Sequence, residues 1–264
     1  TNLGKVYWLK VWHIPQGSRT AKGRPLVNLL PLADSERVTA ILPIRTYEED
    51  RFVFMATANG TVKKTPLEQF SRPRSAGLIA LELDEGNTLI GAALTDGQCD
   101  VLLLTSSGKA ARFAESDVRA MGRTARGVRG IALRGEQRVI ALIIPRADGF
   151  VLTASARGYG KRTPVDDFPR KGRGTQGVIA MQTSSRNGDL IGAVQVFAGD
   201  EIMLISNQGT LVRTAADGVS LLGRNTQGVK LIGLRGDEIL GSVQRIEESA
   251  SDETDLPEAP ADEE

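Results

Sequence analysis

Gly172-Arg173-Gly174-Thr175-Gln176-Gly177-Val178 returns almost unchanged as Gly223-Arg224-Asn225-Thr226-Gln227-Gly228-Val229. A looser copy, Gly122-Arg123-Thr124-Ala125-Arg126-Gly127-Val128, lies upstream, and fainter copies end at Gly77 and Gly23. The closing glycines of these copies are therefore 50 to 54 residues apart. A period of about 40 to 50 residues is typical of propeller-type arrays, in which one repeat forms one small antiparallel sheet. The repeat predicts a single all-β ring of blades.

Each repeat has the same order of short apolar segments and turns. A strand such as Val101-Leu102-Leu103-Leu104 leads to a glycine turn, and the return strand carries cations. The basic loop closes on its glycine 17 to 19 residues after the turn glycine. A third strand (Ile131 and Leu133 in one repeat) and then a fourth (Leu89-Ile90-Gly91-Ala92-Ala93 in another) complete the unit. We predict four-stranded blades with the small residues of the fourth strands near the axis, and no helix, because no helical period is found.

The two ends of the chain differ from the repeats between them. Leu3-Gly4-Lys5-Val6-Tyr7 matches a turn and its return strand without an outgoing strand, so the first blade is predicted to be incomplete and the chain to be a piece of a longer protein. From Glu247 onward there are nine acidic residues and no Lys or Arg, which leaves 33 basic and 23 acidic side chains before it. We predict a β-domain over residues 1–246 and a disordered acidic tail over residues 247–264. The tail either competes with a polyanion for the basic body or only increases solubility.

The composition excludes several classes of function. His13 is the only histidine and Cys99 the only cysteine, so we expect no disulfide, no zinc site and no Ser-His-Asp arrangement. Gly172-x-Gly174-x-x-Gly177 fits a dinucleotide-binding pattern, but Val178-Ile179-Ala180-Met181 is predicted to be a strand where that motif needs a helix. No run of about 18 apolar residues is present, and no secretory signal opens the chain. We expect a cytoplasmic, non-membrane domain without catalytic residues or cofactor.

Cations recur on the glycine loops and on the return strands. One such loop would be an ordinary solvated turn, but five copies in register predict positive charge around one rim of a ring. Evenly spaced cations on a curved edge suit the phosphate backbone of a bent DNA duplex, bound through charge and not through base edges. Few aromatic residues accompany the loops, which argues against single-strand binding by base stacking. The predicted DNA-binding residues are Arg19, Lys22, Arg24, Lys63, Lys64, Arg72, Arg74, Lys109, Arg112, Arg123, Arg126, Arg129, Lys161, Arg162, Arg170, Lys171, Arg173, Arg213, Arg224 and Lys230.

The chain resembles a known family, the C-terminal DNA-wrapping domain of bacterial DNA gyrase A. The resemblance extends to about Ile246. It implies a six-bladed β-pinwheel, whose blades exchange strands with their neighbours, and DNA wrapped around the rim with a positive hand. It also implies a parent topoisomerase that uses ATP and Mg²⁺ to introduce negative supercoils. The implied partners, in a heterotetramer, are the rest of gyrase A and the gyrase B subunit. The isolated domain would be a monomer. Besides the glycine loops, the match is carried by Gly23-Arg24-Pro25-Leu26-Val27-Asn28-Leu29-Leu30-Pro31-Leu32, Phe54-Met55-Ala56-Thr57-Ala58-Asn59-Gly60-Thr61-Val62-Lys63-Lys64-Thr65, Ser116-Asp117-Val118-Arg119-Ala120-Met121-Gly122 and Gly158-Tyr159-Gly160-Lys161-Arg162-Thr163.

One departure from the family pattern keeps alternatives open. The hallmark motif, Gln-Arg/Lys-Arg-Gly-Gly-Arg/Lys-Gly, does not occur, and Arg170-Lys171-Gly172-Arg173-Gly174 is the nearest stretch. In the family that motif belongs to the first blade, so it either precedes Thr1 in a longer chain or is missing. The related domain of topoisomerase IV is the alternative within the family. A protein-binding propeller scaffold with surfaces of mixed charge is the alternative from another class.

Overall fold

The regular structure of the described chain is made of β-strands and short 3-10 helices. A computed structural model describes residues 1–18 and 21–247. The 3-10 helices span Val11–His13, Leu26–Asn28, Leu67–Phe70, Glu115–Asp117, Val165–Asp167 and Ala216–Gly218. The strands are β1 (Lys5–Val6), β2 (Phe52–Thr57), β3 (Thr61–Pro66), β4 (Leu78–Ile79), β5 (Leu89–Thr95), β6 (Asp100–Thr105), β7 (Lys109–Ala114), β8 (Val128–Arg129), β9 (Val139–Ile143), β10 (Phe150–Ser155), β11 (Tyr159–Pro164), β12 (Val178–Ile179), β13 (Leu190–Val196), β14 (Glu201–Ser206), β15 (Leu211–Ala215), β16 (Val229–Lys230) and β17 (Leu240–Ile246).

Each complete blade takes its outermost strand from the following repeat. The four-stranded sheets have the orders β5-β2-β3-β8, β9-β6-β7-β12 and β13-β10-β11-β16. The short strands β8, β12 and β16 follow the closing glycine of the next repeat, so consecutive blades are joined by strand exchange. A further sheet, β17-β14-β15, has three strands in the described residues, and β1 pairs only with β4. The predicted all-β propeller class and the incomplete first blade are confirmed.

The third strand lies earlier than the sequence predicted. We expected it around Ile131 and Leu133, but β8 is Val128–Arg129 and directly follows the closing glycine. Ile131 instead packs into an apolar cluster with Val62 and Leu103. The glycine turn leaves only two residues to pair with the neighbouring blade before the chain turns into the core.

The hairpin register repeats from blade to blade. In the pairs β2–β3, β6–β7, β10–β11 and β14–β15, an apolar residue of the outgoing strand lies opposite a cation of the return strand. As a result, the fourth residue after each turn glycine has the same place in every blade. The pairs are Phe54↔Lys64, Leu102↔Arg112, Leu152↔Arg162 and Met203↔Arg213.

The inner strands β5, β9, β13 and β17 pack side by side around the axis. They line a cavity of about 290 Å³ together with Thr39 and Ala40 of the first repeat. The close approach depends on small residues: a Cβ at Gly192 would lie 2.8 Å from Val243 Cγ1. The predicted position of the small residues of the fourth strands near the axis agrees with this packing.

The apolar core lies between consecutive blades. One cluster joins Phe54 of one repeat to Phe113 and Val139 of the next, and another joins Leu152 to Leu204 and further residues of the last blade. A repeat of about 50 residues therefore buries its apolar faces only against its neighbours, as repeat architectures require. None of the helices in the described residues combines the length and apolar character that crossing a membrane needs.

Candidate nucleic-acid interface

We name the glycine loops rim loops 1 to 5 (residues 16–23, 70–77, 120–127, 170–177 and 221–228); residues 19 and 20 of rim loop 1 lie outside the described residues. Rim loops 3, 4 and 5 are attached to the return strand of the preceding blade by the same backbone hydrogen bond. Because the return strands lie away from the axis, these loops lie on the outside of the ring. The donor N–H and acceptor oxygen are Met121 and Lys64 (2.8 Å), Lys171 and Arg112 (2.8 Å), and Leu222 and Arg162 (2.9 Å).

The closing glycines of rim loops 3, 4 and 5 fit closely against that return strand. Gly127 has a φ of +99°, and a Cβ there would lie 2.5 Å from the carbonyl oxygen of Val62. Gly228 has a φ of +77°, and its Cβ would lie 2.6 Å from the carbonyl oxygen of Gly160. Only glycine combines this backbone conformation with so close an approach. The repeated glycine thus fixes where each loop meets its neighbour. Gly23 of rim loop 1 also has a positive φ, but its Cβ would meet nothing within 4 Å.

More than half of the predicted DNA-binding residues are exposed, and most of these lie in or directly beside the rim loops. Lys109, Arg112, Arg123 and Arg224 are partly buried. Arg19 lies outside the described residues. The exposed residues are Lys22, Arg24, Arg72, Arg74, Arg126, Arg129, Arg170, Lys171, Arg173, Arg213 and Lys230.

Two equivalent arginines of the rim loops are oriented by backbone carbonyl groups. Arg173 donates from Nε to the carbonyl oxygen of Asp117 (2.9 Å) and from Nη1 to that of Arg129 (3.1 Å). Arg224 donates from Nη1 to the carbonyl oxygen of Ile179 (2.8 Å). Carbonyl groups carry no net charge, so the guanidinium charge stays available at the rim, with donors left over for a ligand.

Three other exposed arginines form ion pairs with carboxylates. Arg126 pairs with Glu82 (3.3 Å) and Asp84 (3.0 Å), Arg170 pairs with Asp100 (3.1 Å), and Arg213 pairs with Glu201. Exposed pairs such as those of Arg126 and Arg213 contribute only about 0–1 kcal/mol. They are weak enough to be exchanged for a phosphate. Asp100, the partner of Arg170, is largely buried and also binds Arg112.

Four of the predicted DNA-binding residues must be reassigned, because they are buried. Lys63 and Lys161 have no exposed surface, and Lys64 and Arg162 are 6% and 9% exposed. A phosphate cannot reach side chains in these positions in this conformation. We therefore remove Lys63, Lys64, Lys161 and Arg162 from the set of direct contacts.

The return-strand cations join consecutive blades. Arg162 donates from Nε to the carbonyl oxygen of Val219 (2.9 Å) and from Nη1 to Asp217 Oδ1 (2.5 Å), at the 3-10 helix of the following repeat. Arg112 binds the equivalent helix through the carbonyl oxygens of Val165 (3.1 Å) and Phe168 (3.2 Å). Of these two arginines, only Arg162 pairs with an acidic residue of the short helix, Asp217.

The two fully buried lysines donate hydrogen bonds to the rim loops from the interior of the domain. Lys161 Nζ donates to the carbonyl oxygens of Gly223 (2.6 Å) and Arg224 (2.5 Å) and to Thr226 Oγ1 (3.0 Å). Lys63 Nζ donates to the carbonyl oxygen of Ala80 (2.7 Å) and to that of Arg123. Burial, reinforced by the nearby guanidinium of Arg224 or Arg123, lowers the pKa of each lysine to about 8.

Further exposed cations that the sequence analysis did not single out lie outside the rim loops. The guanidinium of Arg186 lies 5.2 Å from the ring centre of Tyr159, whose strand position is opposite Lys230. The hydrogen bond from Arg186 lowers the pKa of the Tyr159 hydroxyl. Arg119, just before rim loop 3, and Arg157, in a hairpin turn, are exposed as well. They were missed because they lie outside the glycine loops.

Asp96, Cys99 and Glu115 bring possible metal ligands within 4.8 Å of one another. The Cys99 thiol donates to Glu115 Oε2 (2.8 Å), and Thr95 Oγ1 donates to Glu115 Oε1 (2.6 Å). Burial, the hydrogen bond and the Glu115 charge raise the pKa of Cys99 to about 12. Thr95, Cys99 and Glu115 thus form an internal hydrogen-bond network.

The fold and the perimeter define a propeller-type domain with cationic loops around its rim. The model of the family "DNA gyrase C-terminal domain, beta-propeller" matches residues 1–45, 51–96, 100–146, 149–196 and 200–247. The chain belongs to this family. The resemblance seen in the sequence is thereby confirmed, and the five matched segments correspond to the five repeats.

Relatives and solved structures agree with this assignment. The chain is 58% identical over 253 residues to the DNA gyrase A protein of Klebsiella oxytoca, covering 96% of this chain and 29% of that protein. It thus spans less than a third of the length of this relative. A structure of the DNA gyrase A C-terminal domain matches with a TM-score of 0.79 and 25% identity, over 92% of this chain and 80% of that one. The C-terminal domain of DNA topoisomerase IV matches with a TM-score of 0.85 and 24% identity, over 93% and 77%, which shows the common fold.

Proposed function

We propose that this domain binds and bends double-stranded DNA along its perimeter, without regard to sequence, as the wrapping domain of a bacterial DNA gyrase. The observation that carries the proposal is the repeated attachment of the rim loops. The same backbone hydrogen bond attaches three of them, and two of these present an arginine, Arg173 or Arg224, that is held by uncharged carbonyl groups. Regularly spaced positive charge suits a continuous phosphate backbone, because phosphate contacts set affinity and orientation without reading bases.

The revised contact set consists of exposed or partly exposed cations. Arg126, Arg170 and Arg213 join it by exchanging their carboxylate partners for phosphates. Arg119, which lies directly before rim loop 3, is added to it. Arg112 is left out, because Asp100 and the carbonyl oxygens of Val165 and Phe168 bind its guanidinium group. Arg19 lies outside the described residues and stays a member on the sequence pattern alone. The remaining members are Lys22, Arg24, Arg72, Arg74, Lys109, Arg123, Arg129, Lys171, Arg173, Arg224 and Lys230.

Several loops have to act together in this proposal. Bending a short duplex costs on the order of 1–6 kcal/mol by elastic estimates. One exposed ion pair contributes at most about 1 kcal/mol, so the larger bending costs in this range require contacts on several loops. Within a heterotetramer in the bacterial cytoplasm, the gyrase B subunit, together with the rest of gyrase A, would supply ATP- and Mg²⁺-dependent strand passage. This domain would supply the bound, curved DNA that gives strand passage its direction.

The test is a triple variant of rim loop 4, Arg170→Ala with Lys171→Ala and Arg173→Ala. Each phosphate contact contributes about 0.9 to the slope of log K against log salt. We therefore expect the slope to fall by up to about 2.7, and the end-to-end distance of a doubly labelled duplex to increase as its bend relaxes. Anisotropy titrations over a salt series and energy transfer measure the two effects.

The matched control is Arg134→Ala with Arg138→Ala and Arg235→Ala. These residues are exposed and lie outside the rim loops, and the control removes the same charge. If both triple variants lowered the slope and the bend equally, net charge and not the rim loops would account for binding. Failure of the unaltered domain to retain duplex DNA at about 100 mM salt would refute the proposal and favour a protein-binding scaffold.

A further inference from the structure

Two buried lysines occupy equivalent positions in alternate blades. Lys63 and Lys161 are each the third residue after a turn glycine. Lys63 contacts one carbonyl oxygen of the following rim loop, and Lys161 contacts two. The corresponding residues of the other two complete hairpins are Ala111 and Val212. Rim loops 3 and 5 therefore accept hydrogen bonds from a buried ammonium group, whereas rim loop 4 has Ala111 at the equivalent position.

The contacts of Lys161 use its whole hydrogen-bonding capacity. An ammonium group has three N–H donors, and three oxygens of rim loop 5 accept them: the carbonyl oxygens of Gly223 and Arg224, and the hydroxyl of Thr226. A buried charge is costly unless it is hydrogen-bonded in this way. Moving the loop away would leave the charge unsatisfied, so the loop is restrained at three points within four residues.

The acceptors are neutral, which preserves the charge of the loop. A carboxylate in their place would hold the loop and cancel its attraction for an anion. Here burial lowers the pKa of Lys161, the guanidinium of Arg224 repels its ammonium and lowers the pKa further, and Asp167 attracts the ammonium and raises the pKa. The two positive charges repel each other, and a phosphate bound at the loop would relieve that repulsion.

We propose that Lys161 positions rim loop 5, and Lys63 positions rim loop 3, for contact with DNA phosphates without touching DNA themselves. This inference rests on the proposed function, since it assigns the two lysines a part in the same interface. They are positioning residues and act through Arg224 and Arg123. A lysine without exposed surface cannot act as a nucleophile or be modified in this conformation.

Rim loop 4 provides an internal control, because Ala111 lies at the position of the lysine. Its Arg173 is equivalent to Arg224, each lying four residues before the closing glycine. Equivalent backbone hydrogen bonds report on the two loops. For rim loop 5, the amide of Leu222 donates to the carbonyl oxygen of Arg162, and the amide of Gln182 donates to that of Thr226. For rim loop 4, the amide of Lys171 donates to the carbonyl oxygen of Arg112, and the amide of Ala132 donates to that of Thr175.

The first measurement is amide hydrogen exchange of the free protein with Lys161→Met. We expect the amides of Leu222 and Gln182 to exchange about tenfold faster, because a charge-assisted hydrogen bond to the loop is lost. The amides of Lys171 and Ala132 should be unchanged. If Lys161→Met does not fold, Thr226→Val removes one of the three acceptors without altering the core, and a smaller effect in the same direction is expected. Unchanged exchange at Leu222 and Gln182 would overturn the inference.

The second measurement is a pair of double-mutant cycles on duplex affinity. Arg224→Ala should lower the salt slope by about 0.9 in the unaltered domain and by less than half of that in Lys161→Met. Arg173→Ala should lower it equally in both backgrounds. A purely structural role of Lys161 would leave both arginine effects unchanged, or reduce both alike, and would overturn the inference. If the unaltered domain does not bind DNA, the proposed function fails, and the exchange experiment still decides whether Lys161 holds the loop.

Discussion

Replacing Gly228 with alanine tests whether rim loop 5 packs closely against the return strand of the preceding blade. The φ of Gly228 is +77°, a conformation that costs an L-residue about 1–2 kcal/mol. The added Cβ would lie 2.6 Å from the carbonyl oxygen of Gly160 and 2.9 Å from its carbonyl carbon, so part of the backbone must move. Overpacking of this kind costs about 1–3 kcal/mol. We expect Gly228→Ala to lower the free energy of unfolding by about 2 to 5 kcal/mol in total.

Gly223→Ala is the matched control, because Gly223 begins the same repeated stretch. It does not have a positive φ, and a Cβ there would meet nothing within 4 Å. Its effect on stability should stay within about 0.5 kcal/mol. Thermal unfolding followed by circular dichroism should show a Tm at least about 4 °C lower for Gly228→Ala than for Gly223→Ala. Equal values of Tm for the two variants would refute the close packing of rim loop 5 against the preceding blade.

Two further predictions concern charge. In the folded protein the pKa of Lys63 and of Lys161 is lowered to about 8 from the ordinary 10.5, so the unfolded chain binds more protons between these values. Through these groups the free energy of unfolding should rise with pH from about 8 to 10.5. Urea titrations should detect this rise in the unaltered domain and not in the double variant Lys63→Met with Lys161→Met. Parallel pH profiles of the two proteins would contradict the prediction. Deleting residues 249–264, which carry seven acidic side chains, should tighten duplex binding severalfold at about 100 mM salt if the tail competes with DNA; an unchanged Kd would leave the tail only a solubilising role.

The architecture could be predicted from the sequence because its cause is a repeat. Closing glycines 50 to 54 residues apart required equivalent units, and apolar runs before glycine turns required hairpins. Strand exchange was not derivable from the residues alone and entered through the resemblance to the family. The position of β8 was misjudged because Ile131 and Leu133 have the alternation of a strand, whereas two residues sufficed for pairing.

The candidate site was predictable in its loops and not in its strands. Arg173 and Lys171 lie on glycine-rich turns, and turns lie on the surface of a folded protein. Lys161 and Arg162 are adjacent in sequence and look equally suited to bind DNA. Both are buried, because strand exchange and the next repeat cover both faces of the return strand. The sequence alone could not show that these side chains are buried, since the residues that cover them lie about 60 positions further along the chain.

The attachment of the rim loops has a consequence for the whole ring. Because rim loops 3, 4 and 5 are fixed to the preceding blade, their positions depend on the packing between blades and not on their own hairpins. A duplex that contacts consecutive loops therefore contacts groups whose spacing is set by the core clusters between those blades. Binding along the perimeter should then favour the arrangement of blades that matches the curvature of the DNA, as a ligand favours the state to which it binds more tightly. Under the proposed function, the buried lysines and the inter-blade arginines contribute to DNA bending by holding the loops at that spacing, although none of them reaches a phosphate.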